Sequence, residues 1–337
     1  MLKKVLFCVS PKGPQQTQNL IAKIPESMAK YVSSYHLVKD MDEYAALADK
    51  DFDIVVVQLG TTCSGPVLKD QVVNNKNLKW VHSLSAGIDG YVAVQEFRES
   101  PIPLTNAKGA FTTILGEFIG LGVLWHSKHL QRFMQRKAEK KWEIEPMDLV
   151  STKSMAIIGY GEIGSACAKI AKNGFGMKVW GIKRKPEECS ELYKSYCDEV
   201  YGNDKYDEVI SQADYVVGVL PKTATTEDFF NMESTFSKMK KTSVFMNIGR
   251  GPTVHEADLV KALQEEKIAG AVLDVFKVEP LPQESPLWEM ENVLLTPHCA
   301  QQDKEFMSDC IQQFATNLEN FCEGKPLVNI RDKTQGY

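Results

Sequence analysis

The sequence predicts an α/β protein built from two doubly wound parallel sheets. Short apolar, β-branched segments alternate with longer amphipathic segments of helical periodicity along the 337-residue chain. A glycine-rich turn over residues 159–164 separates one of these apolar segments from a helical one. Alternation of this kind places helices on the faces of a parallel sheet, and such a turn is typical of the first crossover of a dinucleotide-binding sheet.

The predicted strands fall into two series, and a helix-compatible stretch over Thr112–Arg136 separates them. A last helix is expected over Asp303–Glu323, where Gly324 and Pro326 end the pattern. Six short strands in the second series indicate a doubly wound nucleotide-binding domain. The predicted strands are Val5–Val9, Ile54–Val57 and Trp80–Leu84, then Met155–Gly159, Lys178–Ile182, Tyr215–Leu220, Ser243–Ile248, Ala269–Leu273 and Val293–Thr296.

Composition excludes several classes of function. With 43% hydrophobic and 25% charged residues and a net charge of -5, the chain is typical of a globular protein without an electrostatic footprint for nucleic acid or anionic membrane. The 8 cysteines include no Cys-x-x-Cys pair, so no metal site or disulfide framework is expected. No apolar stretch reaches the ~20 residues needed to span a bilayer. We expect a cytoplasmic protein whose partners are small molecules.

The glycine turn has the chemistry of a pyrophosphate site. Gly159 permits a tight turn, Gly161 lets the backbone approach a pyrophosphate, and Gly164 permits close packing of strand and helix. The free amides at the start of the helix would bind the anion. The alternative is a glycine turn with no ligand. Tyr160, Glu162 and Ile163 complete the predicted cofactor contacts of this turn.

The end of the next strand indicates which dinucleotide the turn would bind. An NAD-binding chain offers Asp or Glu to the ribose hydroxyls about 20 residues after the glycines. This chain has Lys183 and Arg184 there instead. Two cations favour a 2′-phosphate, so NADP(H) is the preferred cofactor, with NAD(H) also possible. The alternative is a solvated basic turn.

Three further motifs resemble a known family. Residues 247–251 (Asn-Ile-Gly-Arg-Gly), residues 273–280, which contain Asp274 and end in Glu-Pro, and residues 295–298 (Leu-Thr-Pro-His) are similar, in order, to the Arg, Glu and His signatures of the D-isomer-specific 2-hydroxyacid dehydrogenases. Residues 85–89 resemble the substrate-loop motif of that family. Within it, the likeness is greatest to the bacterial glyoxylate/hydroxypyruvate reductase A type, through Trp125-His126, Trp142 and the terminal Gly336-Tyr337.

The resemblance implies a split domain organisation. Residues 1–104 with 299–337 would form a flavodoxin-like substrate domain, and residues 105–298 a Rossmann cofactor domain, with the active site in the cleft between them. It also implies a homodimer joined through the cofactor domains. The Ile114–Trp125 stretch, apolar around most of its circumference, supports that expectation, and the alternative is that this helix is buried within one chain.

The resemblance also implies a role for each motif residue. Arg250 would bind the substrate carboxylate and polarise the carbonyl, His298 would donate the proton, and Glu279 would hold the imidazole and favour its charged form. Asp274 would orient the nicotinamide carboxamide. Taken singly, such residues are more often surface salt-bridge donors or helix caps. The other implied substrate contacts are Ser85, Ala86, Gly87 and Gly60, and the other implied cofactor contacts are Leu220, Pro221, Thr226, Ile248, Gly249, Arg250 and His298.

The predicted activity is NADPH-dependent reduction of a small 2-oxo acid, of the glyoxylate or hydroxypyruvate class, to the D-2-hydroxy acid. The same chemistry on a bulkier 2-oxo acid is one alternative, because the sequence does not fix the pocket volume. A dinucleotide-sensing protein like the corepressors of this fold is another. An L-lactate or malate dehydrogenase is disfavoured because its glycine turn should open the chain, whereas this turn begins at residue 159.

Overall fold

A computed structural model describes residues 2–9, 29–58, 61–302 and 306–335. The chain forms two compact units, one made of the residues before Phe111 and after Gln302, the other of Phe111–Gln302. The sequence analysis placed the two domain boundaries after residues 104 and 298. Strand pairing reaches Asn106, and the Ala107 amide donates to the Ser85 carbonyl, which keeps this stretch with the first unit. The amides of residues 299 and 300 bond to Asp274, which keeps them with the second.

The first unit contains a five-stranded parallel sheet in the order β2-β1-β3-β4-β5. This is the flavodoxin-like order, as predicted. The Phe314 ring stacks on Trp80 at a centroid distance of 5.4 Å and meets Phe7 at 5.5 Å, so the last helix covers one face of the sheet. The elements are β1 Lys3–Cys8, β2 Val32–Val38, α1 Met41–Ala45, β3 Ile54–Val57, α2 Ser64–Asn74, β4 Trp80–Ser83, α3 Asp89–Val92, α4 Gln95–Glu99, β5 Leu104–Asn106 and the last helix, α11, Phe306–Glu323.

The second unit contains a seven-stranded parallel sheet in the order β12-β11-β10-β9-β6-β7-β8. Its first six strands in chain order have the Rossmann arrangement, again as predicted. The elements are α5 Thr112–Ser127, α6 Leu130–Ala138, β6 Ser154–Ile158, α7 Glu162–Lys169, β7 Lys178–Ile182, α8 Glu191–Lys194, β8 Glu199–Tyr201, α9 Tyr206–Gln212, β9 Tyr215–Gly218, β10 Val244–Asn247, α10 Glu256–Gln264, β11 Gly270–Leu273 and β12 Val293–Leu295.

In the described part of the chain, three strands were not predicted, and all three lie at sheet edges. β2 and β5 are the outer strands of the first sheet and β8 is an outer strand of the second, which therefore has seven strands rather than six. β2 and β8 are partly exposed, so their apolar pattern is weak, whereas β5 is buried but has only three residues, two of them polar. β2 alternates half-buried and exposed positions over most of its length, whereas the predicted central strand β3 is buried throughout.

The single helix predicted over Thr112–Arg136 is two helices. His129, between α5 and α6, has a left-handed backbone with φ of 50°, which breaks the helical path. Most of the apolar surface of α5 is buried within its own unit, including Leu115, Ile119 and Val123. Among the described residues, no helix combines the length and apolar character that a membrane span requires.

Candidate active site

The glycine turn joins β6 to α7 with the geometry of a backbone cradle. Gly159 has φ of +99°, and a Cβ there would lie 2.6 Å from the Val219 carbonyl oxygen, so this turn requires glycine. A Cβ on Gly164 would lie 2.8 Å from the Gly159 carbonyl oxygen. Around Gly161, by contrast, no heavy atom of the described residues lies within 4 Å of the Cβ position. The turn packs tightly against the protein at Gly159 and Gly164, and it is open at Gly161, where a ligand could approach its backbone.

The other residues of the turn have different surroundings. The Tyr160 side chain is buried, its hydroxyl donates to the Tyr193 carbonyl at 2.8 Å, and its amide donates to the Ile182 carbonyl at 2.9 Å. Tyr160 therefore packs beneath the turn. Glu162 and Ile163 form the first turn of α7, where amides have no intrahelical acceptor.

The two cations predicted at the end of β7, Lys183 and Arg184, directly follow that strand. Lys183 is half-buried and its amide donates to the Tyr201 carbonyl at 2.9 Å, whereas Arg184 is exposed. The nearby Glu188 accepts a hydrogen bond from Lys185 Nζ at 2.6 Å. That bond, more than the charges of Lys183 and Arg184, holds the pKa of Glu188 below its usual value. No carboxylate follows β7 until residue 187.

The loop after β9 lies beside the turn, because β9 is the neighbour of β6 in the sheet. A Leu220 side-chain carbon lies 3.2 Å from the Cβ position of Gly159. The Thr226 hydroxyl donates to the Pro221 carbonyl at 2.6 Å and accepts from the Thr223 amide at 2.8 Å. Thr226 thus shapes the loop through its own backbone. After β10, the amide of the buried Ile248 donates to the Gly218 carbonyl at 3.2 Å.

Arg250 is held by the residues around it at the end of β10. The buried Asn247 side chain accepts from the Gly249 amide at 3.0 Å and donates to the Arg250 carbonyl at 3.2 Å. Thr253 Oγ1 donates to the same carbonyl at 2.6 Å, and Arg250 Nη1 donates to the Gly249 carbonyl at 2.8 Å. The backbone of this loop is therefore fixed independently of any ligand.

Gly251 brings this loop against the loop that carries Glu279. A Cβ at Gly251 would lie 1.8 Å from the Phe276 carbonyl oxygen, a distance that no side chain permits. The Phe276 amide in turn donates to Glu279 Oε1 at 2.9 Å. Close approach at Gly251 therefore places the arginine and glutamate loops side by side, and the positive charge of Arg250 contributes to the electrostatics of Glu279.

His298 and Glu279 form a hydrogen-bonded pair, with 2.7 Å between His298 Nδ1 and Glu279 Oε2. Burial raises the pKa of Glu279, but the hydrogen bonds from His298 and the Phe276 amide, with the charges of His298 and Arg250, outweigh burial and leave that pKa below its usual value. Glu279 is thus ionised at neutral pH. Both side chains are partly exposed, so the imidazole remains accessible.

Asp274 lies under the turn that presents His298. Its carboxylate is buried, and its Oδ1 accepts from Thr296 Oγ1 at 2.6 Å, the Cys299 amide at 2.9 Å and the Ala300 amide at 3.1 Å. The Asp274 carbonyl also accepts from the His298 amide at 2.9 Å. Burial raises the pKa of Asp274 despite these hydrogen bonds.

The predicted substrate loop of the first unit follows β4. Ser85 Oγ donates to the Gly87 carbonyl at 2.9 Å, and the buried Asn106 side chain donates to the Ala86 carbonyl. Among the described residues, no hydrogen bond is found from the Ala86 or Gly87 amide. These two amides can donate hydrogen bonds to an anion. Gly60, the fourth predicted substrate contact, lies outside the described residues.

Comparison with known proteins identifies this arrangement. A profile of the NAD-binding domain of the D-isomer specific 2-hydroxyacid dehydrogenases matches residues 121–300, which is more than half of the chain. The chain belongs to this family. It is accordingly an NAD(P)-dependent oxidoreductase, as the sequence predicted.

Relatives of this dehydrogenase include two named reductases. A hydroxypyruvate reductase of Blautia hydrogenotrophica is 32% identical over 307 residues, covering 87% of this chain and 89% of the relative. A glyoxylate/hydroxypyruvate reductase A of Salmonella typhi is 31% identical over 277 residues, covering 79% and 84%.

Two solved structures have the same fold over the full length. A D-isomer specific 2-hydroxyacid dehydrogenase of Xanthobacter autotrophicus Py2, in complex with NADPH and MES, has a TM-score of 0.82 at 26% identity and covers 100% of each chain. An NADPH-dependent glyoxylate/hydroxypyruvate reductase of Sinorhizobium meliloti, in complex with NADP and sulfate, has a TM-score of 0.82 at 25% identity and covers 99% of this chain and 100% of the other.

Sequence reasoning did not assign a role to the residues that hold the site together. Gly251 and Thr296 stand inside the recognised motifs, but their partners, Phe276 and Asp274, come from another loop. Asn247 bonds within its own motif, and the sequence contains a signal for that role. An Asn at the end of a strand, separated by one residue from Gly-Arg-Gly, has a side chain that can cap the following turn.

Proposed function

We propose that this dehydrogenase reduces a small 2-oxo acid of the glyoxylate or hydroxypyruvate class to the D-2-hydroxy acid, with NADPH as the preferred cofactor. The observation that carries the proposal is the His298–Glu279 pair, 2.7 Å apart, beside the arginine loop of the same unit. The reductase names and the NADPH and NADP complexes of the relatives support the substrate class and cofactor.

The proposed roles follow from charge and hydrogen bonding. Arg250 supplies a planar cation that can bind a carboxylate through two parallel N–H donors and withdraw charge from the adjacent carbonyl. His298 donates a proton to the carbonyl oxygen as that oxygen gains negative charge. Ionised Glu279 accepts a hydrogen bond from the His298 Nδ1–H group, which orients Nε2 toward the substrate and stabilises the imidazolium before transfer.

The dinucleotide site is proposed on the open side of the glycine turn. The residues fit the group, because the space at the Gly161 Cβ position is open and the first-turn amides of α7 have no intrahelical acceptors. Lys183 and Arg184 would hold the 2′-phosphate. When bound, the dinucleotide supplies the hydride for the carbonyl carbon. Proposed side contacts are Leu220, Pro221, Thr226, Ile248 and Gly249.

The loop after β4 in the first unit is proposed to supply anion donors of its own. The amides of Ala86 and Gly87 are two such donors, held in place by the bonds that Ser85 and Asn106 make with the loop. Amide donors on neighbouring residues suit an anion with two oxygens.

The test of this function is a panel of 2-oxo acids assayed with NADPH and NADH, using the wild-type protein and Arg250→Ala. We expect glyoxylate or hydroxypyruvate with NADPH to give the highest kcat/KM. Arg250→Ala should raise KM and lower kcat together, because the carboxylate loses a charge-assisted partner. Turnover that is highest with a branched or aromatic 2-oxo acid would contradict the substrate class, and an unchanged KM in Arg250→Ala would contradict the role of Arg250.

We also propose that two copies of the chain associate through their cofactor domains. The support comes from the segment 139–149, here called the arm, rather than from α5. Trp142 is 98% exposed and Ile144 is 94% exposed in the arm, and Met134 on the adjacent α6 is 66% exposed. Arg136 holds the arm against α6 through Glu143 at 3.3 Å and Glu145 at 2.9 Å. A fixed backbone that exposes large apolar side chains together is typical of a protein interface.

Sedimentation velocity at micromolar concentration tests this association. We expect a dimer for the wild-type protein and a shift toward monomer when Trp142 and Ile144 are both replaced by Glu, since two charges would be buried in the interface. Leu192→Glu is the matched control, because Leu192 is 60% exposed on α8 and lies away from the arm in sequence. A monomeric wild-type protein, or a double variant that remains dimeric, would contradict the proposal.

A further inference from the structure

The turn that carries His298 has an unusual backbone and an internal anchor. His298 has φ of 50°, in the left-handed region that side chains other than Gly, Asn and Asp rarely adopt. Such a conformation persists only where surrounding bonds determine it. Here the turn is fixed by Asp274, whose Oδ1 accepts from Thr296 before the histidine and from the amides of Cys299 and Ala300 after it.

We infer that Asp274 and Thr296 form a positioning pair that sets the direction of the His298 imidazole. The inference rests on the proposed role of His298 and deepens it. The Asp274 carbonyl accepts from the His298 amide, so the same residue bonds the backbone of the histidine and both sides of its turn. The sequence resemblance implies a cofactor contact for Asp274, and the hydrogen bonds of its Oδ1 give it a role in the turn as well. Its buried Oδ1 is directed into the protein turn, toward three donors.

The hydroxyl of Thr296 is the part of this anchor that can be removed without changing a backbone group. It donates to Asp274 Oδ1 at 2.6 Å, a short hydrogen bond to a carboxylate. Without it, Asp274 Oδ1 keeps only the amides on the far side of the turn, and the segment before His298 is held by backbone hydrogen bonds alone. A displacement of about 1 Å in a positioned catalytic group can lower turnover by up to about 10²-fold. The Nδ1 bond to Glu279 would lengthen with the same movement.

Thr296→Val removes the hydroxyl at nearly constant volume, and Thr296→Ser restores it. We expect Val to lower kcat about tenfold or more, with the dinucleotide Kd unchanged within about twofold. Ser should restore kcat. Thr316→Val, which removes an exposed hydroxyl bonded to the Gln312 carbonyl, is the matched control.

Dinucleotide Kd, measured by nicotinamide fluorescence on Asp274→Asn, provides the second measurement. A normal Kd with lowered kcat supports the positioning pair, whereas a raised Kd with normal kcat would assign Asp274 to the cofactor and overturn the inference. A Thr296→Val protein with wild-type kcat would also overturn it. If the wild-type protein does not reduce any 2-oxo acid, the proposed function fails instead, so the two failures are distinguishable.

Discussion

Replacing His298 with Ala is expected to lower kcat for the 2-oxo acid by about 10² or more, while the dinucleotide Kd stays nearly unchanged. The reason is that a general acid at the carbonyl oxygen is lost, whereas the glycine turn lies at the start of α7 and does not bond to His298. Steady-state kinetics with the substrate preferred by the wild-type protein and a fluorescence titration with NADPH check the two parts.

A second variant is needed to separate the loss of the imidazole from strain in the backbone at His298. Because φ is 50°, Ala at this position carries a strain that Asn tolerates better. His298→Asn should therefore keep the thermal stability of the wild-type protein and still lose turnover to the same extent as His298→Ala. If Asn retains wild-type kcat, His298 has no part in proton transfer. If only Ala is impaired, the loss belongs to the strained turn.

The second large effect expected is on cofactor preference. The wild-type protein should favour NADPH over NADH by on the order of a hundredfold in kcat/KM, since two charge-assisted hydrogen bonds contribute about 1.5–3 kcal/mol each. Replacing Lys183 and Arg184 together with Ala should remove most of that preference by weakening NADPH, with little effect on NADH. The preference should fall as salt rises, because the cations are at least partly exposed.

Lys185→Ala is the matched control for this experiment. Lys185 stands in the same turn, but its Nζ bonds to Glu188 Oε1 at 2.6 Å, so we expect its loss to leave the NADPH preference intact. Equal use of NADH and NADPH by the wild-type protein at low salt would show that Lys183 and Arg184 do not bind the 2′-phosphate. A large effect of Lys185→Ala would assign that role to a different cation.

The sequence predicted the central strands of both sheets closely. The segment Lys178–Ile182 was predicted with the bounds the structure gives it, and it is buried at four of its five positions. The edge strands β2 and β8 were missed because half-exposed strands lack a strong apolar pattern, and the buried β5 was missed because it has only three residues, two of them polar. The break at His129 was also missed, because its left-handed conformation is not encoded by a glycine at that point.

The sequence alone determined the glycine turn, the basic end of β7 and the chain order of Arg250, Glu279 and His298, because each of these is a local pattern of residues. Only the tertiary structure decided which side chains and loops of the site contact one another. The 2.7 Å pair of His298 and Glu279, the contact of Gly251 with Phe276 and the anchoring of the histidine turn by Asp274 join loops that are distant in sequence. Such contacts depend on where parallel strands end and on how closely their loops pack, and neither quantity is a property of any single segment.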